Sequence, residues 1–188
     1  ASTERILYEG EMAIIHQNLS EMEYLVRVDE IRRVHRLVTD MYYEIVARTL
    51  PPDLKFRRRT PRPYPDVVNS CLSVGYGMLY GNACVSSIGA GLEPDLGFLH
   101  KGSGGLVYDL IEPFKTAMID RPLLDLIRQG IDPSEYECSP GRCLLSDTLL
   151  ALITRMFHAS IRQEILDEQV LVIREALLNG TDFYIVKA

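Results

Sequence analysis

The stretch that decides the fold is VVNSCLSVGYGMLYGNACVSSIGAGL, residues 67–92, which contains no charged side chain. A helix of this length could cross a bilayer. Its glycine, serine and asparagine residues make it too polar for lipid. Asp66 stands directly before it, where it can cap or charge the start of a helix. We therefore predict a helix buried at the centre of the protein and no membrane partner.

Outward from this stretch, apolar residues recur at helical spacing and no series of alternating, strand-like runs is found. The sequence predicts an all-α fold in a single domain over residues 1–188, a length that suffices for a real core. We expect helices over Glu4–Tyr24, Asp29–Leu50, Pro65–Gly89, Gly104–Asp120, Pro122–Gln129, Ser146–Ala159 and Ile161–Asn179.

The breaks between these helices are short. They fall at Pro51-Pro52, Thr60–Pro65, Gly102–Gly105 and Asp132–Arg142, and none is long or polar enough to be a linker between domains. The apolar tail Phe183–Val186 fits either a short strand or a segment that packs down. The chain opens ASTER without a methionine, as a piece of a longer protein would.

The four cysteines show no paired spacing: Cys71, Cys84, Cys138 and Cys143. A domain of this size does not depend on disulfides, so we expect all four to be reduced and the protein to be cytoplasmic. Four residues separate the nearest pair, Cys138 and Cys143, and without a second pair they would make a poor zinc site.

The formal net charge of −6 argues against a uniformly basic nucleic-acid binder. The basic residues are nevertheless concentrated in one segment, KFRRRTPRP, which holds Lys55, Arg57, Arg58, Arg59 and Arg62. A basic strip on an acidic body is compatible with DNA contact. A solvated loop that keeps the protein soluble is the other interpretation.

The segment with the most chemistry is GLEPDLGFLHKGSGGLVYDLIEPFK, residues 91–115. Asp109 and Glu112 are three residues apart and so share a helical face, and Pro113 should kink the helix there. If the glycine-rich turn folds back, His100 joins the two acids in a site for a hard divalent cation, Mg²⁺ or Mn²⁺. The alternative is a surface histidine and two acids on a solvated helix face.

The run from Asn69 to Lys115 resembles the signature of the CRISPR-associated protein one family, the integrase of CRISPR adaptation. That family has an asparagine opening a helix, then a GL-P-GFLH loop, then a helix with a DLxE or DLxD element. The matching positions are Asn69, Tyr76, Tyr80, Gly91, Leu92, Pro94, Gly97, Phe98, His100, Asp109, Leu110, Glu112 and Pro113. The segment PDLKFRRRTPRP, residues 52–63, resembles the basic segment of the family.

The resemblance implies the helical catalytic domain of an enzyme that joins the 3′-hydroxyl ends of a short spacer DNA to a CRISPR repeat by transesterification. It makes His100 and Glu112 ligands of Mg²⁺ or Mn²⁺, with Asp109 as a further ligand or as an orienting group. Partners implied are DNA, a second copy of the chain and the small adaptation protein two. The family's N-terminal β-domain has no match in this chain.

The resemblance also suggests further DNA contacts beside the basic segment. These fall on Asn69, Tyr76, Tyr80, Lys101 and Tyr108. Tyrosines at helical spacing are equally typical of a core whose polar tips find partners.

One departure from the family lies in DEIRRVHRLVTDMYYE, residues 29–44, where His35 stands at the position of the family's first metal-binding glutamate. In the other interpretation His35 is a surface residue, and Glu30 or Asp40 supplies the charge. Both lie five residues from His35, off its helical face. A neutral imidazole in place of a carboxylate should weaken Mg²⁺ binding. The expected consequence is a slower or Mn²⁺-restricted enzyme, or an impaired relative that acts as a DNA-binding and assembly module.

Overall fold

The computed structural model describes residues 7–187, and these form a mostly helical domain, as predicted. The helices are α1 Glu9–Met22, α2 Val28–Thr49, α3 Val67–Gly89, α4 Gly105–Ile111, α5 Arg121–Gln129, α6 Asp147–Ser160 and α7 Gln163–Asn179. Two strands, β1 Tyr136–Ser139 and β2 Arg142–Leu145, pair as an antiparallel hairpin. The predicted helix start at Glu4 lies outside the described residues.

Helix α3 is the buried central helix that its uncharged sequence predicted. The Asp66 carboxylate accepts a hydrogen bond from the backbone N–H of Asn69 at 2.8 Å and so caps the helix. The helix packs against α4, α6, α7 and β2. Its Leu72 and Leu79 are fully buried in the core. Helix α4, which carries Asp109, therefore packs directly against the central helix.

The predicted helix Gly104–Asp120 is interrupted where the acids lie. Helix α4 ends at Ile111, a turn covers residues 112–114, and a π-helical segment follows at Thr116–Asp120. Pro113 has no N–H to donate to the carbonyl of Asp109. The helix is therefore interrupted at Pro113, where a kink was expected, and the expectation of one continuous helix is wrong.

The hairpin occupies the region predicted as a break and corrects the prediction for the cysteines. Cys138 and Cys143 are directly opposite one another in the hairpin and form a disulfide. The Ser70 hydroxyl of α3 donates to the carbonyl of Cys143 at 2.9 Å, which fixes the hairpin to the core. The expectation of four reduced cysteines is wrong for this pair, whereas Cys71 and Cys84 are free.

The apolar tail after α7 packs down and is not a strand. Its Val186 is buried against the core, which settles the alternative that the sequence left open. Among residues 7–187, no helix has both the length and the apolar character needed to cross a membrane.

Gly75 lies where α3 meets the π-helical segment and α6. A Cβ atom on Gly75 would lie 2.6 Å from Ile119 Cγ2 and 2.7 Å from Phe157 Cζ, and both neighbours are fully buried. We expect Gly75→Ala to lower the free energy of unfolding by about 1–3 kcal/mol through overpacking. Chemical denaturation of the purified protein measures this change.

The matched control is Gly81→Ala, one helical turn and a half further along α3. A Cβ there meets no atom within 4 Å. This substitution should raise stability by about 0.5–1 kcal/mol because alanine favours a helix more than glycine does. Equal effects at Gly75 and Gly81 would show that the contact with Ile119 and Phe157 is not tight.

Candidate active site

The Asp109 carboxylate organises the loop that carries His100. It accepts hydrogen bonds from the backbone N–H groups of Phe98 at 2.5 Å, Leu99 at 2.9 Å and His100 at 3.0 Å. His100 Nδ1 lies 2.7 Å from the same carboxylate. Because the carboxylate accepts, Nδ1 donates this hydrogen bond and Nε2 is the ring nitrogen that faces Glu112. Asp109 thereby sets the direction of the imidazole.

A glycine makes the turn into α4 possible. Gly104 has a φ of +73°, and the ring of Tyr80 fills the space where its side chain would be. Its N–H donates to the Asp95 carboxylate at 2.6 Å. The turn therefore folds back, which is the condition that the cation-site interpretation required, and it brings the loop against α4.

Three predicted site residues converge at the end of α4. His35 Nε2 of α2 lies 3.3 Å from Glu112 Oε2, and His100 Nε2 lies 3.9 Å from Glu112 Oε1. The two imidazole rings are 5.9 Å apart between centroids. The structure thus brings His35, which the family resemblance proposed as a site residue, beside Glu112, although His35 is 65 residues from His100 in the chain.

Arg32 connects α2 to the His100 loop. Its Nε donates to the carbonyl of Leu99 at 2.5 Å, and its Nη1 pairs with Asp29 at 2.7 Å. Arg32 is one helical turn before His35 and faces the same way. Sequence reasoning missed it, and the three-residue spacing from His35 was the only available signal.

Glu112 is held in its charged form. Burial raises its pKa, but hydrogen bonds and charge from His35 and Lys115 outweigh this and lower the pKa to about 2. The Lys115 ammonium forms an ion pair with Glu112 Oε1. The carboxylate is therefore ionised throughout the physiological pH range.

This pKa predicts how stability depends on pH. The folded-state pKa lies below the ordinary value of 4.5, so the stabilisation is fully present above pH 4.5 and is lost as pH falls towards 2. Relative to Glu112→Gln, the metal-free wild-type protein should lose about 1–3 kcal/mol of unfolding free energy across that window. Denaturant titrations from pH 6 to pH 2 in a chelator measure the difference. Glu164→Gln, at an exposed position, is the control, and a pH-independent difference at Glu112 would contradict the ion pairing.

The donor chemistry of these residues fits a divalent metal. Two imidazole nitrogens and one carboxylate suit Mn²⁺ better than Mg²⁺, which prefers oxygen ligands. Adjacent ligands of an octahedral ion are about 3 Å apart, and the 3.9 Å between His100 and Glu112 exceeds this. Within residues 7–187, no group of three or more His, Cys, Asp or Glu side chains is close enough to hold an ion without a side-chain rearrangement. Lys115 currently balances the charge of Glu112.

A cleft of about 470 Å³ opens beside His35 and Glu112. At its base Asp120, only 2% exposed, accepts hydrogen bonds from the hydroxyls of Tyr42, at 3.0 Å, and Tyr76. Burial raises the pKa of Asp120. The guanidinium of Arg59 lies 5.4 Å from the centre of the Tyr76 ring. The cleft therefore combines fixed phenols with cations at its edge.

The residues predicted to contact DNA divide by exposure. Lys55, Arg57, Arg58, Arg62, Lys101 and Tyr108 are exposed. Tyr80 is half-buried and lies 5.2 Å from Tyr108, whose ring is 5.7 Å from that of His100, all between centroids. Exposed cations and aromatic rings near the loop are placed where a nucleic acid could reach them.

Asn69 and Arg59 have structural roles. Asn69 is 0% exposed, and its side chain bonds to Asp66, to the carbonyl of Arg58 and to the N–H of Thr60. Arg59 donates to Asn69 and to Ser73. Because every polar atom of Asn69 is used within the fold, its geometry contradicts the predicted DNA contact. The half-buried Tyr76 is likewise engaged, by Asp120 and Tyr43.

Comparison with known proteins identifies the family behind this geometry. The family model described as CRISPR associated protein Cas1 matches residues 3–159. The chain belongs to the Cas1 family. A relative from Methanospirillum hungatei, named putative CRISPR-associated endonuclease Cas1 2, is 38% identical over 97% of this chain and 60% of its own length. The chain thus spans about 60% of that curated Cas1 protein.

Solved structures share the fold. A Cas1 protein from Thermotoga maritima superposes with a TM-score of 0.80 at 20% identity, over 92% of this chain and 59% of that one. A chain of a Cas6-RT-Cas1–Cas2 complex superposes with a TM-score of 0.86 at 19% identity, over 95% of this chain and 22% of that one. The helical arrangement that carries His35, His100 and Glu112 is therefore a Cas1 fold.

Proposed function

We propose that this chain is the helical catalytic domain of a metal-dependent Cas1 integrase, which joins the 3′-hydroxyl ends of a short spacer DNA to a CRISPR repeat. The observation that carries the proposal is the convergence of His35, His100 and Glu112 from three separate segments. Membership of the Cas1 family supports the reaction class. Metal ligation by these residues and strand joining are both part of the proposal.

In the proposed reaction, the 3′ oxygen of the spacer forms a new bond to a phosphorus of the repeat as the bond to the departing 3′ oxygen breaks. The attacking hydroxyl gives up a proton, and the departing oxygen gains one. A bound Mg²⁺ or Mn²⁺ would be held by His35, His100 and Glu112 and would stabilise charge on the transferred phosphate. The phosphodiester count is unchanged, so no energy source is required.

The chain's own residues supply positioning. Asp109 holds His100 with its Nε2 3.9 Å from Glu112 Oε1, and Arg32 fixes the neighbouring peptide. Glu112 provides the negative charge of the site. Exposed Lys101, Arg57 and Arg58 can bind DNA phosphates. Preorganised groups of this kind lower the barrier because they need no rearrangement during the reaction.

The test is a joining assay. A labelled short DNA with 3′-hydroxyl ends is incubated with the protein and a duplex that carries a CRISPR repeat, in Mg²⁺, in Mn²⁺ or in a chelator. We expect longer labelled products only with metal, and more with Mn²⁺ than with Mg²⁺. The same DNA with 3′-deoxy ends, which lacks the attacking hydroxyl, is the matched control and should give no longer products. Products from the deoxy DNA, or in the chelator, would exclude metal-dependent transesterification.

The second candidate function is a DNA-binding and assembly module without catalysis. The specific observation behind it is that a histidine, and not a carboxylate, approaches Glu112 from α2, while Lys115 pairs with Glu112. DNA binding that is independent of metal, with no joining under any condition above, would favour the module. Association with a second copy and with the small adaptation protein Cas2 is proposed for either function, and the fold shared with a chain of a Cas1–Cas2 complex supports it.

His35→Glu tests whether the histidine limits the use of Mg²⁺. An added carboxylate supplies the hard oxygen ligand and the charge that Mg²⁺ favours. We expect Mg²⁺ affinity and Mg²⁺-dependent joining to rise about tenfold or more, as measured by calorimetry and the joining assay. Leu37→Glu adds the same charge at an exposed position two residues away and should change neither. Unchanged or reduced joining by His35→Glu would contradict the assignment of position 35.

A further inference from the structure

The segment that follows α7 is held in one place by a buried amide. Gln169 of α7 is 1% exposed, its Nε2 donates to the carbonyl of Tyr184 at 3.1 Å, and its Oε1 accepts from the N–H of Val186 at 2.8 Å. Leaving a buried amide without partners costs free energy. These two bonds and the buried Val186 side chain therefore fix the course of residues 183–186.

This fixed tail brings Phe183 against the His100 loop. The rings of Phe183 and Phe98 are 5.7 Å apart between centroids, with their planes inclined by 35°. Phe98 is two residues before His100, and its N–H is one of the three that bind Asp109. Phe98 is 45% exposed and Phe183 is 42% exposed, so each ring covers part of the other at the surface.

We propose that Phe183 is a positioning residue for His100. Its ring contacts Phe98, and through Phe98 it holds the His100 loop in place. The functional part of this inference rests on the proposed function. The loop has no regular secondary structure of its own. Its geometry depends on the hydrogen bonds to Asp109 and Arg32 on one side and on the ring of Phe183 on the other. Loss of the ring contact should let the loop open locally more often.

The first experiment does not depend on activity. Amide hydrogen exchange at Phe98, Leu99 and His100 is compared between wild type, Phe183→Ala and Tyr184→Ala. Tyr184 is the matched control because it is the adjacent tail aromatic and is 63% exposed. We expect exchange to rise about threefold to tenfold in Phe183→Ala, the size that an aromatic pair supports. It should stay at the wild-type rate in Tyr184→Ala. Equal exchange in the two variants would overturn the proposal.

The second experiment separates positioning from general stability. With the melting temperature and the KM for DNA unchanged, Phe183→Ala should lower the joining rate at saturating DNA about threefold to tenfold. Phe183→Tyr should restore it. Phe98→Ala combined with Phe183→Ala should be no slower than Phe98→Ala alone, because both act through one contact. Additive losses in the double variant would overturn the proposal. If exchange rises in Phe183→Ala but the wild-type protein joins no DNA, the ring contact would hold and the proposed function would fail.

Discussion

His100→Ala is expected to reduce metal-dependent joining of DNA by about 100- to 1000-fold while leaving the fold intact. The side chain directs Nε2 towards Glu112, and it is held there by four hydrogen bonds from the loop to Asp109. A bound metal contributes several kcal/mol to the stability of the transition state, and each 1.4 kcal/mol changes a rate about tenfold. The joining assay in Mn²⁺ measures the loss, and DNA binding in a chelator should be unaffected.

His158→Ala is the matched control for that experiment. His158 is exposed at the end of α6, which puts a second histidine of the same chain outside the candidate site. It should join DNA at the wild-type rate. If His100→Ala retained more than a tenth of wild-type joining, the imidazole would not be part of the catalytic machinery.

Asp109→Asn should disable the site by another route, through the loop. The carboxylate accepts two hydrogen bonds on each oxygen, and an amide nitrogen cannot accept. Two N–H donors would then face another donor, at a cost of about 2–4 kcal/mol in unfolding free energy. We also expect Asp109→Asn to join DNA 10- to 100-fold more slowly than the wild type, at about the size seen for lost orienting partners, because His100 loses its orienting partner. Denaturant unfolding and the joining assay measure the two effects.

The control for Asp109→Asn is Asp125→Asn. Asp125 pairs with Arg128 at 3.1 Å on the surface, where an ion pair contributes little. It should change stability by less than about 0.5 kcal/mol. Full joining by Asp109→Asn would mean that the loop keeps its geometry without the carboxylate, which would contradict the organising role of Asp109.

The central helix and the shared face of the two acids could be predicted from the sequence, because each leaves a local pattern. The uncharged residues 67–92 predicted the central helix because only a buried helix tolerates such a stretch. The spacing of Asp109 and Glu112, with Pro113 beside them, predicted a shared face and a kink. His35 was proposed from the family resemblance alone, because its approach to Glu112 depends on how α2 packs and leaves no local pattern.

Other features depended on tertiary contacts that leave no local signal. The hairpin is short and mostly exposed, and its disulfide follows from the strand register. Asn69 looked like a polar residue at a helix start, and only its burial against Asp66 and Arg58 assigns it to the core. The contact between Phe98 and Phe183 joins residues 85 positions apart in the chain. Rules based on helical spacing apply only to residues three or four positions apart and cannot predict such a contact.

We propose that His35, His100 and Glu112 form one metal site. The decisive measurement is diffraction from crystals of this chain soaked in Mn²⁺, recorded at the manganese absorption edge. We expect an anomalous peak bonded to His35 Nε2, His100 Nε2 and the Glu112 carboxylate, with the Lys115 ammonium displaced from Glu112. Absence of a peak among these three side chains, at Mn²⁺ concentrations that support joining, would contradict it.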